Sequence, residues 1–207
     1  LLSYNEGAKT VSILAWACGC FLKEHLRLRG VKFPHLFLIG EAGSGKSTTL
    51  ERVLLPIFSE NRILAATQVT AFTLMKESAS SNIVPLPLDE FKPSKMDRMK
   101  IATLYNHFRD SYDGHEGVRG RADLSVVTYD LSAPLIVCGE ESAEETAIRE
   151  RSVELLFSKK DLKHLEHKAA FHRVLQNEDM LSDFGRTLLD AALRVTPDEA
   201  VSWYTAG

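Results

Sequence analysis

The apolar run Leu36-Phe37-Leu38-Ile39 stops at Gly40-Glu41-Ala42-Gly43-Ser44-Gly45-Lys46-Ser47, followed by Thr48. The pattern G-x-x-x-x-G-K-S directly after a strand-like run admits few folds. It demands a strand, a tight turn and a helix that begins at the turn. Glycines let successive backbone N–H groups face inward on an anion. Lys46 can reach the β- and γ-phosphates of a nucleotide, and Ser47 can hold Mg²⁺. The positive end of the helix that starts there faces the same anion. Gly40, Glu41, Ala42, Gly43, Ser44, Gly45, Lys46, Ser47 and Thr48 are therefore the expected nucleotide cradle, with ATP and Mg²⁺ as its ligands.

The rest of the chain alternates between strand and helix patterns. Apolar spacing predicts a helix over 10–29, with Val11, Leu14, Ala15, Cys18, Leu22 and His25 near one face. A strand over 33–39 precedes the cradle, and a helix over 46–55 ends near Pro56. A short strand at 62–66 and a helix to about residue 79, capped by Thr67 or Thr70, come next. Leu86 to Asp89 reads as a buried strand, although Pro85 and Pro87 each remove a ladder donor. The helix over 95–112 offers Met96, Met99, Ile101, Leu104 and Phe108 to the core. Residues 113–121, glycine-rich and charged, are a loop or a hairpin tip. Residues 124–131, 134–138 and 152–157 read as strands and 141–150 as a helix or turn. Residues 161–176, 180–195 and those from Pro197 onward read as helices. This order predicts an α/β fold: a doubly wound, mostly parallel sheet under right-handed crossovers. The expected parts are an N-terminal helical segment (1–31), a core (32–158) and a C-terminal helical segment (159–207).

Ligands of such sheets sit beyond the strand C-termini. Gly40, Asp89 and Glu140 all fall at such ends. Asp89 is the expected partner of Mg²⁺ beside Ser47, through water, because phosphate-bound Mg²⁺ keeps much of its hydration shell. Glu90 can orient or deprotonate an attacking water. Positive charge is also needed beyond the γ-phosphate. Arg149 and Arg151, before the last core strand, are candidates, as are Arg119 and Arg121 in the glycine-rich segment.

The stretch Ser81-Asn82-Ile83-Val84-Pro85-Leu86-Pro87-Leu88-Asp89-Glu90-Phe91-Lys92-Pro93 carries a resemblance, together with Arg119-Gly120-Arg121-Ala122-Asp123 and Ser132-Ala133-Pro134-Leu135-Ile136-Val137-Cys138-Gly139-Glu140-Glu141. Over 32–157 the chain resembles additional-strand P-loop ATPases of the AAA+ and ring-helicase type. The quoted stretches resemble the helicase-like ATPase domains attached to primases of phages, plasmids and integrative elements. The resemblance implies a core strand order of 5-1-4-3-2 and an ATP-hydrolysing motor, a DNA helicase or translocase in mobile-element replication. It also implies a homo-oligomeric ring such as a hexamer, fused to or working with a primase, in which one arginine reaches the neighbour's site. The fourth strand's tip would carry a sensor, where many members place Asn, Ser or Thr. Here the tip is Cys138-Gly139-Glu140, so the sensor candidates are Glu140, which needs a neighbouring cation or metal to face a phosphate, and Ser142. Some ring helicases grip nucleic acid with a hairpin at the position of 113–131. His115, Arg119 and Arg121 would supply its phosphate contacts, with single-stranded DNA favoured. Asp113, Glu116 and Asp123 weaken that field, so a purely structural hairpin stands beside it.

Composition narrows the remaining classes. With 207 residues, 44% of them hydrophobic, the chain can bury a full core. A net charge of −3 gives no bulk attraction to nucleic acid, which leaves a local basic channel. Cys18, Cys20 and Cys138 lack metal-ligand spacing and read as buried thiols of a reducing compartment. The apolar stretch 11–22 is too short to span a bilayer and lacks a basic leader, so a cytoplasmic protein is expected. Leu1 in place of Met, and a helix-like pattern running to Gly207, suit a piece of a larger protein. His164-x-x-His167 and His172 lack the H-E-x-x-H pattern and read as a solvated face. Two other classes stay open: a small-molecule kinase, and an ATP-driven assembly switch or clamp loader.

Overall fold

The computed structural model describes residues 2–120 and 123–206. Arg121 and Ala122 lie outside the described residues. In chain order the elements are α1 (Gly7–Arg27), β1 (His35–Gly40), α2 (Lys46–Thr49), a π-helical stretch (Leu50–Leu54), α3 (Leu55–Ile57), β2 (Leu64–Ala65), α4 (Ala71–Ser78), β3 (Leu86–Phe91) and α5 (Arg98–Asp113). The hairpin strands β4 (Glu116–Gly120) and β5 (Val126–Asp130) follow, then β6 (Leu135–Gly139), α6 (Thr146–Arg149), β7 (Ser152–Phe157), α7 (Leu165–Gln176), α8 (Asp179–Ala192) and α9 (Pro197–Ala206).

Five strands make one parallel sheet in the order β2-β3-β6-β1-β7, and β4 and β5 pair antiparallel outside it. With the hairpin set aside, these five strands, counted in chain order, stand 5-1-4-3-2. A parallel sheet is stable only when both faces are covered, and its strands are then apolar on both. β1 shows this directly. Leu36 and Leu38 enter one core with α1, the helix after the cradle and α7–α9; Phe37 and Ile39 enter the other with α4, α5 and α6. β6 splits the same way, with Ile136 and Cys138 on the first face and Leu135 and Val137 on the second.

Pro87 sits inside a strand with neighbours on both sides. The Leu86 N–H donates to the Pro134 carbonyl on the β6 side, 2.8 Å away. The next nitrogen therefore faces β2, which pairs only with Leu88 and Asp89. Pro87 removes a donor where no ladder runs, which is how the sheet tolerates it. Pro56 is accommodated by a wider helical turn: the Leu55 N–H bonds Leu50 O in the π-helical stretch just before it. An extra residue in the turn relieves the clash between a proline ring and the carbonyl four residues back.

Two helix faces differ from the periodicity. In α1 the buried set is Thr10, Ile13, Trp16, Ala17, Cys20, Phe21 and Leu26, whereas Val11 is 55% exposed and Cys18 only half-buried. The helix is apolar nearly all round, so the sequence could not fix which stripe faces inward. In α5, Leu104 and Phe108 are fully buried as expected, but Met99 is 82% exposed. Tyr105, His107 and Ser111 take the buried positions instead. Asp97 caps α5 through the Lys100 N–H at 2.8 Å, and Gly114 ends it at φ +75°.

Candidate functional site

The glycine loop leaves β1 at Gly40 and enters α2 at Lys46. Gly43 and Gly45 hold φ of +73° and +91°, a region that side chains make costly. Gly40 is needed for space: a Cβ there would stand 2.3 Å from the Phe157 carbonyl oxygen. No side chain caps α2, so its first N–H groups are left to the concave side of the loop. Ser44 is fully buried, and its hydroxyl has no partner among the described residues. Lys46 is 8% exposed, with Nζ 3.4 Å from the Glu41 carbonyl. Ser47 is half-buried and Thr48 exposed. Left-handed glycines, an uncapped helix start, an orphaned hydroxyl and one inward lysine together fit an anion of phosphate type.

The acid pair lies two strands away. β6 alone separates β1 from β3, so the two strand tips stand about 10 Å apart. The pairing of β3 with β6 shifts between Leu88 and Phe91, which puts Asp89 and Glu90 on a bulge. Bulges re-aim side chains and recur beside active sites. Glu90 adopts φ +61°, its N–H bonds the Asp89 carboxylate at 2.7 Å, and its own carboxylate accepts the Thr67 hydroxyl at 3.1 Å. Cys138 lies between the two tips on β6. Burial pushes its thiol well up, the Asp89 carboxylate adds to that, and the Lys46 ammonium opposes it. Both charges thus act on the same buried atom.

The Glu140 carboxylate is paired with the Lys92 ammonium, and the Glu141 carboxylate accepts the Ser94 N–H and hydroxyl at 3.0 and 2.6 Å. Lys92 is thus a cation beside Glu140. The Ser142 hydroxyl donates to Glu154, which also faces Arg149 at 3.6 Å. Arg149 is exposed, on the flank of β7. Arg151 is different: it donates to the Ala147 carbonyl, lies 3.8 Å from Asp113 and sits over the Tyr112 ring. Its carbonyl binds the His35 N–H at the start of β1, roughly 17 Å along the strand from the cradle. Within one chain Arg151 does not meet the cradle.

In the hairpin, His115 lies at the base against Asp110, away from the tip. Arg119 stacks at 3.8 Å over Phe72, whose ring meets Tyr129 edge-on. Val118, Leu124 and Val126 are exposed around the tip.

Some residues near the loop lie outside its motif. Lys159 binds Glu41 through its N–H at 3.0 Å, and Leu162 closes on Gly45. A cavity of about 210 Å³ opens beside the loop, lined by Tyr4, Thr48, Thr49, Leu162, His167 and Phe171. It is largely apolar, and Tyr4 and Phe171 face each other with centroids 6.3 Å apart. Thr48 and Thr49 belong to the loop segment, but Tyr4, Leu162, His167 and Phe171 come from the N- and C-terminal segments, so no local spacing could bring them together.

The molecule is a mixed α/β protein whose glycine loop and acid pair share the C-terminal edge of a five-stranded parallel sheet. No protein-family model matches the sequence, and no curated protein matches it. Among solved structures, it is similar to the JCV helicase at 16% identity and a TM-score of 0.45, over 89% of this chain and 61% of that one. An inhibitor-bound JCV helicase gives 17% identity and a TM-score of 0.45, over 92% and 59%. The chain thus spans about three fifths of the length of these neighbours. A likeness this distant leaves the activity to be argued from the residues of the site itself. Among the described residues, no helix is long and apolar enough to cross a membrane.

Proposed function

We propose that this chain is an ATP-binding and ATP-hydrolysing module of P-loop type, acting as a motor on nucleic acid, with single-stranded DNA favoured. The observation that carries the reading is the shared edge: the Gly40–Ser47 loop and the Asp89–Glu90 bulge stand at the tips of strands separated by β6 alone. When bound, Mg²⁺–ATP supplies the transferable phosphoryl group and most of its own countercharge. The backbone of Gly43, Gly45 and Lys46 would hold the phosphates, and the Lys46 ammonium would neutralise the outer ones. Ser47 and Asp89 would hold the metal. Glu90, on its bulge, would orient a water and take its proton. The apolar cavity with Tyr4 and Phe171 at its wall suits the base, which needs a flat apolar seat.

A motor of this kind works as a homo-oligomeric ring. Arg149, exposed on the β7 flank, is better placed than Arg151 to reach a neighbour's site. Arg119 beside the hairpin tip is the nucleic-acid contact that the geometry favours over His115. Residues 1–31, 32–158 and 159–207 would act as one unit, because all three contribute to one hydrophobic cluster. Work beside a primase in mobile-element replication rests on the sequence resemblance alone.

The test is ATP turnover with and without single-stranded DNA, run beside mass measurement with a non-hydrolysable ATP analogue. Stimulation by DNA together with a ring is the expected result. Lys46→Ala should abolish nucleotide binding and turnover, and unchanged turnover in that variant refutes the site.

A further inference from the structure

Three neighbouring strand tips run side by side at the cradle. The pairing Ile39↔Gly139 places Gly40 of β1 beside Glu140, and Phe91↔Gly139 places Lys92 beside the same Glu140. The Glu140 N–H closes the row by donating to the Phe91 carbonyl at 3.2 Å. The left-handed backbone at Glu90 and the bulge around it set the direction in which Lys92 leaves β3. Glu140 is therefore an exposed carboxylate in the row that holds the phosphate loop. A carboxylate there opposes any further negative charge unless a cation covers it. Lys92 is that cation. The pairing holds the carboxyl below its usual range, with Lys46 contributing at longer reach, and raises the Lys92 ammonium. Both side chains remain about one third exposed. Neither is locked by packing, and a lysine stem can swing between two anions.

We propose that Lys92 is the residue by which this site tells a nucleoside triphosphate from a diphosphate: paired with Glu140 at rest, it transfers to the third phosphate when one is present. The proposal rests on reading the glycine loop as the phosphate cradle and adds a discriminating contact to it. Glu140 acts as the competitor. It sets how much of the Lys92 charge is released, because each triphosphate must displace it. Two anions sharing one cation give a graded response to phosphate charge, which a neutral residue at position 140 would not give. Glu141, held by Ser94, keeps the two tips together while the exchange occurs.

The experiment is equilibrium titration of the whole chain with a fluorescent diphosphate and a non-hydrolysable triphosphate analogue, both with Mg²⁺. Wild type should prefer the triphosphate. Lys92→Met should weaken the triphosphate by about ten- to a hundredfold, the range of one charge-assisted contact, and leave the diphosphate within about threefold. Lys92→Arg should keep the preference, and Glu140→Gln should tighten the triphosphate selectively. An unchanged affinity ratio in Lys92→Met, or equal weakening of both nucleotides, makes the ion pair a structural tie and overturns the inference. The same follows if wild type binds both nucleotides equally. Binding of neither nucleotide by wild type brings down the cradle itself, an outcome distinct from the loss of discrimination alone.

Discussion

Glu90 holds φ +61° without being glycine, and it does so at the tip of a strand beside the glycine loop. The left-handed region costs an ordinary residue about 1–2 kcal/mol. Its exposed carboxylate accepts the Thr67 hydroxyl on the β2 side, and its N–H is tied to the Asp89 carboxylate. Strain kept at one residue of an acid pair is what a site selected for chemistry rather than stability would show. Two substitutions separate these roles. Glu90→Gly should be more stable than Glu90→Ala by about 1 kcal/mol in urea unfolding, since only alanine must carry the left-handed backbone. Both should bind ATP and lose turnover by about a hundredfold or more, the usual worth of a positioned base. Equal stability of the two variants would remove the strain argument, and retained turnover would remove the base.

Between elements, one close packing point joins the C-terminal helices to the helix after the glycine loop. A Cβ on Gly185 of α8 would stand 1.6 Å from the Ile57 carbonyl oxygen of α3, a backbone atom that cannot step aside. Gly185→Ala should cost about 3 kcal/mol and lower the melting temperature, because α8 must lift off α3. Gly7→Ala, where a Cβ meets nothing within 4 Å, is the control and should be neutral. The hairpin carries the other element-scale prediction. Arg119→Ala should weaken binding to single-stranded DNA and lower the slope of log affinity against log salt by about 0.7, with basal turnover unchanged. An unaltered slope leaves the hairpin a structural arm, tied to α4 by Phe72 and Tyr129. How legible each feature was follows from its range along the chain. β1, β3 and β6 showed as apolar runs ending in glycine or acids, and β7 as a mostly apolar run before Ser158. The inward stripe of α1 did not, because Val11, Leu14 and Ala15 are as apolar as Ile13, Trp16 and Ala17. The loop was readable as eight consecutive residues, but Lys92 and Glu140 are 48 apart and meet only through strand register. Tyr4 and Phe171 belong to no motif at all.

The whole molecule carries a built-in acid sensitivity, set by two histidines buried where α5 crosses the start of the sheet. His35 faces the Phe108 carbonyl at 2.8 Å and packs against Phe108 and Tyr112; His107 meets the Ser78 hydroxyl at 2.8 Å. Burial pushes His35 down to about 3 and His107 down to about 4. The Phe108 carbonyl partly offsets this for His35, while the nearby charges of Lys23, His107 and Arg151 add to it; Asp110 opposes it for His107. Unfolded, both rings titrate near 6.5. Between pH 6.5 and about 4 the unfolded chain therefore binds more protons than the folded one, and stability rises with pH across that window. The neutral rings' contribution is complete above pH 6.5 and is lost as the pH falls. Each ring should account for about 1.4 kcal/mol per pH unit once its unfolded form is protonated. Summed down to pH 4 the two rings cost roughly 6 kcal/mol, a large share of a typical total of about 5–15 kcal/mol. Urea midpoints measured at pH 7, 6, 5 and 4.5 should be nearly level at first and then fall steeply. His107→Gln should roughly halve the slope while lowering the midpoint at pH 7. A midpoint independent of pH from 7 to 4.5 would mean that the two rings are not held neutral by the fold, and that the packing of α5 on the sheet opens to water.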